Sequence, residues 1–180
     1  LLAPPISNSD SVTMLPLGTV ATIPNILSDD KKGDGTTPTP TQVTVDLNPA
    51  IPGNQDSLVV AGEGTWKYNP TTGAATFKPA TGFTKDPTPI VYKLTENATG
   101  LSDTAKLYVD YVPKAKNDTG AFIGVAVTVN VLANDTLGDV IVPSSIRLLD
   151  GTTPTDTLVV PGQGTLTVDT LTGAVKFTPV

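Results

Sequence analysis

The sequence predicts an all-β fold of two tandem antiparallel β-sandwich modules, the second of which lacks its last strands. Three observations support this fold class. The chain repeats itself at an offset of 100 residues, and its short runs of Val, Ile, Leu and Thr are separated by turn residues. Its 16 Gly and 17 Pro also disfavour long helices.

The repeat is clearest over two blocks of 22 residues. Residues 58–79 and 158–179 align without a gap and are identical at eleven positions. Further upstream, residues 25–30 (NILSDD) match residues 130–135 (NVLAND), and Asp10 matches Asp118. Residues 80–112 have no counterpart after residue 180. We therefore expect a complete module over residues 1–112 and a C-terminally incomplete one over residues 113–180.

Alternation of apolar and polar residues predicts the individual strands. Trp66 and Tyr68 are expected to face Ala75 and Phe77 across a hairpin that turns at residues 70–73. Leu166, Val168, Val175 and Phe177 repeat this pattern in the second module. Further strands are predicted near residues 19–24, 41–47, 57–61, 88–95 and 104–112, and near residues 125–132, 144–150 and 157–160.

The composition excludes several functional classes. The chain has no His and no Cys, which removes Ser-His-Asp and Cys-His catalysis, the common zinc sites and disulfides. A net charge of −6 with a single arginine, Arg147, disfavours nucleic acid and anionic membrane surfaces as partners. No apolar run approaches the roughly 20 residues that a membrane span needs, so membrane insertion is not expected.

We predict no catalytic, cofactor-binding or metal-binding residues. Glu63 is a weak candidate for a catalytic acid because the second copy carries Gln163 at the equivalent position. Gly62 and Gly64 are expected to form a turn, since no helix follows them as in a phosphate-binding loop. Trp66 and Tyr68 could stack on a sugar, but their replacement by Leu166 and Val168 favours a core role.

Two further kinds of site remain open from the sequence. Asp29, Asp30 and Asp34, and in the second copy Asn134, Asp135 and Asp139, could bind calcium, although solvated turns are the favoured interpretation. The raw material for a Lys–Asn isopeptide crosslink is also present, without a diagnostic motif. The residues concerned are Lys93, Lys106, Asn117 and Asn130.

Three blocks carry a family resemblance. Residues 59–66 (VVAGEGTW), 69–73 (NPTTG) and 76–83 (TFKPATGF), followed by the DPTP run at 86–89, resemble the CshA-type fibril repeats of bacterial cell-surface proteins. Residues 130–135 and Asp118 resemble the broader Ig-like and cadherin-like tandem repeats. The resemblance implies Ig-like β-sandwich modules of a surface fibril that projects an adhesive tip, and it implies no catalytic residues.

The resulting hypothesis is a non-enzymatic structural module of a secreted, extracellular bacterial fibril or filament. Its partners would be neighbouring repeats, copies of itself, or a host or matrix surface. The incomplete second module could belong to a longer stalk. Alternatively, it could accept residues 5–15 of another copy as a donor strand, which would link subunits head to tail. The alternative function is a calcium-stabilised adhesin module that binds a glycan or a host protein.

Overall fold

The computed structural model describes residues 2–135 and 141–180, which fall into two units, Leu1–Val112 and Pro113–Val180. Strands and turns dominate both units. The single helical element among the described residues is a 3-10 turn at Pro143–Ser145. No helix in this part of the chain is long and apolar enough to cross a membrane.

Unit 1 is a two-layer sandwich. Its described strands are β1 (Asp10–Pro16), β2 (Ala21–Ile23), β3 (Val43–Asp46), β4 (Ser57–Val60), β5 (Gly64–Tyr68), β6 (Ala75–Pro79), β7 (Ile90–Glu96) and β8 (Ser102–Val112). One sheet, here named the hairpin sheet, has the order β2–β6–β5–β4. The other, named the capping sheet, has the order β1–β8–β7–β3.

The core of unit 1 lies between these two sheets. Along β5, Trp66 and Tyr68 are buried and Lys67 is exposed, so the period-two pattern puts one face of the strand inside. The same alternation in β7 and β8 supplies the opposing layer. The largest apolar or aromatic side chains that are fully buried come from both sheets and from the loops beside them: Trp66, Tyr92, Tyr111, Phe77, Ile26, Leu27, Leu47, Leu94, Leu107 and Val45.

The predicted turn between β5 and β6 is confirmed and has a clear local cause. The Asn69 side-chain Oδ1 accepts a hydrogen bond from the Thr71 amide at 2.9 Å, which starts the turn. The Gly73 amide donates to the Asn69 carbonyl at 2.9 Å. Gly73 has a φ of 78°, and a Cβ there would collide with the Asn25 side chain, so the position requires glycine.

β1 differs from the prediction in two respects. No strand was expected at Asp10–Pro16, and β1 pairs with β8 in parallel, whereas the other pairings of unit 1 are antiparallel as predicted. The register shifts between Val12 and Leu15, and Met14 between them has a φ of 59°. This bulge interrupts the alternation in the sequence, which is why the pattern did not indicate a strand.

Unit 2 repeats the hairpin sheet. Its described strands are β9 (Val127–Val129), β10 (Leu148–Asp150), β11 (Thr153–Thr155), β12 (Thr157–Val160), β13 (Gly164–Val168) and β14 (Val175–Pro179). The order β12–β13–β14–β9 reproduces β4–β5–β6–β2, and Leu166 pairs with Phe177 as Trp66 pairs with Phe77. β10 and β11 form a separate two-stranded ladder.

The capping sheet is not repeated in the described part of unit 2, as expected for a module that lacks its last strands. Residues 118–124, the counterpart of β1, form no strand. The fully buried apolar side chains among residues 2–135 and 141–180 all belong to unit 1. In unit 2, the hairpin sheet therefore has one apolar face that the other described residues cover only in part.

Phe77 and Phe177 occupy equivalent positions and provide a matched test. Phe77→Ala is expected to lower the free energy of unfolding of unit 1 by about 3–5 kcal/mol, because it opens a cavity in a closed core. Phe177→Ala should cost unit 2 less than half as much, since that ring is only half-buried. Residue-resolved amide exchange on the full chain would measure both. Equal losses would contradict the open arrangement of unit 2.

Candidate functional site

The most distinctive surface of the molecule is the inner face of the unit 2 hairpin sheet, here named the open face. Its apolar side chains are half-buried, whereas their counterparts in unit 1 (Trp66, Tyr68, Ala75 and Phe77) are buried. The open face consists of Leu166 and Val168 on β13, Val175 and Phe177 on β14, and Val127 and Val129 on β9.

A loop segment covers this face only in part. Phe122 packs edge-on against Phe177, with ring centroids 5.7 Å apart and planes at 79°. Phe122 itself remains 51% exposed, and the nearby Ile123 and Val125 are 83% and 59% exposed. Clustered apolar side chains that remain accessible in this way are typical of surfaces that bind another polypeptide.

Unit 1 shows what covers an equivalent face. Tyr92 and Leu94 on β7 and Leu107 and Val109 on β8 project from the capping sheet into the core. Tyr111 closes one end, where its hydroxyl donates to the Thr19 carbonyl at 2.7 Å. The cover is thus made of amphipathic strands whose inward side chains are aromatic and aliphatic.

The proposed donor segment, residues 5–15, lies against unit 1 of its own chain. Pro5 is buried, and the backbone of Ile6 exchanges two hydrogen bonds with Lys31, at 2.8 and 2.9 Å. The Ser7 amide donates to Asp103 at 2.8 Å, and Ser9 accepts from the Lys106 amide at 3.1 Å. Donor-strand exchange would therefore require this segment to leave its own capping sheet.

An acidic cluster holds this segment, and the sequence analysis did not connect its members. Asp30 is fully buried and accepts a hydrogen bond from the Asn8 amide at 2.7 Å. Burial raises the pKa of Asp30 to about 6 and, with the neighbouring Asp29 and Asp30 carboxylates, raises the pKa of Asp10 to about 7. Burial also raises the pKa of the Tyr92 hydroxyl, which points at Asp30.

The internal repeat of the sequence does contain an indication of this cluster. Asp10 and Asp30 match Asp118 and Asp135 in the second copy, so both carboxylates recur. The structure shows that the backbone contact recurs as well, because the Lys116 amide donates to Asp135 at 2.8 Å. Both acids recur, and in each copy the second acid binds the backbone near the start of the module. This recurrence indicates that the acids anchor that segment.

Glu63 has a structural contact and no catalytic partner in view. Its two carboxylate oxygens accept hydrogen bonds from the backbone amide and hydroxyl of Thr88, at 2.8 and 2.7 Å. These bonds fix the segment before β7 to the turn between β4 and β5. Gly62 and Gly64 lie in and beside that turn, which leads into a strand and not into a helix.

Asp30 and Asp34, two of the aspartates considered for calcium, are engaged within the protein. Asp34 accepts hydrogen bonds from the Thr36 hydroxyl and amide and pairs with Lys32 at 3.0 Å, and these contacts lower its pKa to about 2. Asp139 lies outside the described residues. Among the residues that the structure does describe, no group of three or more acidic, His or Cys side chains is arranged to hold a metal ion.

The remaining candidates are also placed. Lys93 and Lys106 belong to unit 1, while Asn117 and Asn130 belong to unit 2, so neither unit brings a lysine and an asparagine of this set together. Asn130 instead accepts a hydrogen bond from the Leu132 amide at 3.2 Å. Trp66 and Tyr68 are buried in the core and present no sugar-stacking surface.

No protein-family model matches the sequence, and no curated protein matches it. Among solved structures, the chain is similar to the N-terminal four Ig domains of Dscam1 isoform 4.44, with 11% sequence identity and a TM-score of 0.29. The alignment covers 98% of this chain and 46% of that one, so the chain spans less than half of its length. The fold assignment rests on the sheet topology described above and not on this match.

Calcium is expected to leave the stability of the chain unchanged. The oxygens of Asp30 and Asp34 are already used by the Asn8 amide, Tyr92, Thr36 and Lys32. Thermal unfolding in millimolar CaCl2 and in EDTA should give the same midpoint. A midpoint raised by calcium and returned by EDTA would restore the calcium-stabilised alternative.

Proposed function

We propose that the chain is a non-enzymatic structural repeat module of a secreted bacterial surface fibril or filament. The observation that carries this proposal is the duplication of the hairpin sheet in the same strand order, with β4, β5 and β6 repeated in the same register at an offset of 100 residues. Modules that recur in series extend a chain away from its attachment point, which is what a stalk requires. The location that fits this role is the bacterial cell surface.

The chemistry of the side chains supports a structural role over an enzymatic one. The chain has no His and no Cys, so it lacks the side chain that most often acts as a general base, and it has no thiol nucleophile. Glu63, the acid considered from the sequence, is bound to Thr88 and is replaced by Gln163 in the second copy. A structural acid tolerates such a replacement, whereas a catalytic acid does not.

The proposal includes assembly through the open face of unit 2. Leu166 and Phe177 at its centre are half-buried, and a strand supplied by another copy would remove them from water. The donor would be the N-terminal segment that contains β1. Because donor and acceptor are different surfaces, the contact is heterologous and each added copy offers a new open face.

Several features make β1 the strand of unit 1 that is best suited to exchange. It lies at the edge of the capping sheet, its ladder is interrupted between Val12 and Leu15, and Met14 is strained. Val12 and Leu15 are only partly buried against the core. The hairpin sheet and strands β8, β7 and β3 would keep the main core closed after β1 has left.

An engineered, reducible disulfide between β1 and β8 tests this assembly. Ser11 and Tyr108 are cross-strand partners on β1 and β8, and both are accessible, so Ser11→Cys with Tyr108→Cys should form a disulfide in a chain that has no other cysteine. The oxidised variant is expected to remain monomeric, and reduction should restore head-to-tail polymers. Light scattering and negative-stain electron microscopy would measure both states.

The unmodified chain and each single cysteine variant are the controls. If the oxidised and reduced forms polymerise equally, exchange of β1 is excluded, and if the unmodified chain never polymerises, so is self-assembly by this route. The structural role is tested separately by immunogold labelling of the producing cells. Label along surface filaments supports it, and label confined to the cell interior contradicts it.

A further inference from the structure

Residues 5–10 are held to unit 1 mainly through aspartates. Asn8 is bound twice, because its amide donates to the Asp30 carboxylate at 2.7 Å and its side chain donates to the Asp29 carbonyl at 2.7 Å. The Ser7 amide donates to Asp103 at 2.8 Å. Asp10 follows at the start of β1, partly buried beside the Tyr92 hydroxyl.

This contact region contains too few hydrogen-bond donors for its oxygens. The Tyr92 hydroxyl has one hydrogen, yet it lies 3.0 Å from the Asn8 carbonyl and 3.3 Å from Asp30 Oδ2, with Asp10 also beside it. Asp10 Oδ2 is buried and has no hydrogen-bond partner. A proton on Asp10 or Asp30 would supply the missing donor.

The surrounding charges also favour a proton on Asp10 or Asp30. Asp29, from the loop before Lys31, and Asp103, at the start of β8, both add negative charge near the pair. Among the described residues, the two ion pairs found elsewhere involve neither Asp10 nor Asp30. A fully buried carboxylate beside a partly buried one, with no ion pair to either among the described residues, favours a state in which at least one of them is protonated.

We propose that Asp10 and Asp30, together with Tyr92, form a proton-binding latch that fixes the N-terminal segment to unit 1. With a proton bound, the group of Asp10, Asp30 and Tyr92 has a second hydrogen-bond donor, and the segment is held more firmly. When the proton is lost, an unpartnered carboxylate and like-charge repulsion loosen it.

The direction of the pH dependence follows from the two carboxyls. Both have a raised pKa in the docked state, about 7 for Asp10 and about 6 for Asp30, against an ordinary value of 3.8. The docked state therefore binds more protons than the released state between about pH 4 and pH 7. This stabilisation is fully present below about pH 4 and is lost as the pH rises through 6 to 7.

The latch does not depend on the proposed function, because it concerns how one segment is held within its own unit. The two proposals also fail separately. If the segment responds to pH but the chain never polymerises, the latch proposal stands and only the exchange of β1 is excluded.

Amide hydrogen exchange on the full chain tests the latch at single residues. The Ile6 amide, bonded to the Lys31 carbonyl, and the Asn8 amide, bonded to Asp30, report on docking, while the Tyr68 amide in the hairpin sheet is the internal reference. After correction for intrinsic rates, protection at Ile6 and Asn8 is expected to fall about tenfold or more from pH 5 to pH 8, since one pKa unit corresponds to a tenfold change in equilibrium. Protection at Tyr68 should stay constant.

Asp10→Asn provides the decisive variant, because an amide supplies the donor that a protonated acid would supply. Its protection at Ile6 at pH 8 should exceed that of the unmodified chain, and its fall from pH 5 to pH 8 should be at least threefold smaller, because only Asp30 of the pair still titrates. Asp118→Asn, at the equivalent position of unit 2, is the matched control and should keep the unmodified profile. A pH-independent Ile6 in the unmodified chain, or an Asp10→Asn profile that falls as steeply as that of the unmodified chain, would overturn the latch, and the first criterion applies even if the variant fails to fold.

Discussion

Contact between two apolar sheet faces is the interaction on which the rest of unit 1 depends. Trp66 and Phe77 project from the hairpin sheet and meet side chains such as Tyr92 and Leu107 from the capping sheet, and all four are fully buried. Burial of each such side chain is worth about 1.5–3 kcal/mol, more than a typical turn hydrogen bond. Unit 2 builds the first face with the same turns and registers, but its described residues form no second face. That difference explains why the apolar side chains of the open face are only half-buried.

The hairpin sheet could be predicted from the sequence because its determinants are local. Alternation places Trp66 and Tyr68 on one face, and Asn69 with Gly73 forms the turn without help from distant residues. The repetition of the block then predicts the same hairpin in unit 2. Residues 80–112 supply β7 and β8 in unit 1, and the described residues of unit 2 build no sheet equivalent to theirs.

The N-terminal segment could not be predicted because distant partners determine its conformation. Asn8 is held by Asp30, 22 positions away, and Ser7 is held by Asp103, 96 positions away. In the sequence, Asp30 lies in a polar run that reads as a solvated turn, and only the fold buries it completely. Parallel pairing of β1 with β8 likewise joins residues that no short-range pattern connects.

The bulge in β1 also affects how unit 1 can meet other polypeptides at this edge of its sheet. An edge strand normally offers a regular row of free amide and carbonyl groups, onto which any extended polypeptide can add. In β1, that row is broken at Met14, and Pro16 has no amide hydrogen to offer. An extended polypeptide that adds to this edge would therefore stop pairing after a few residues, which protects unit 1 from unregulated sheet extension.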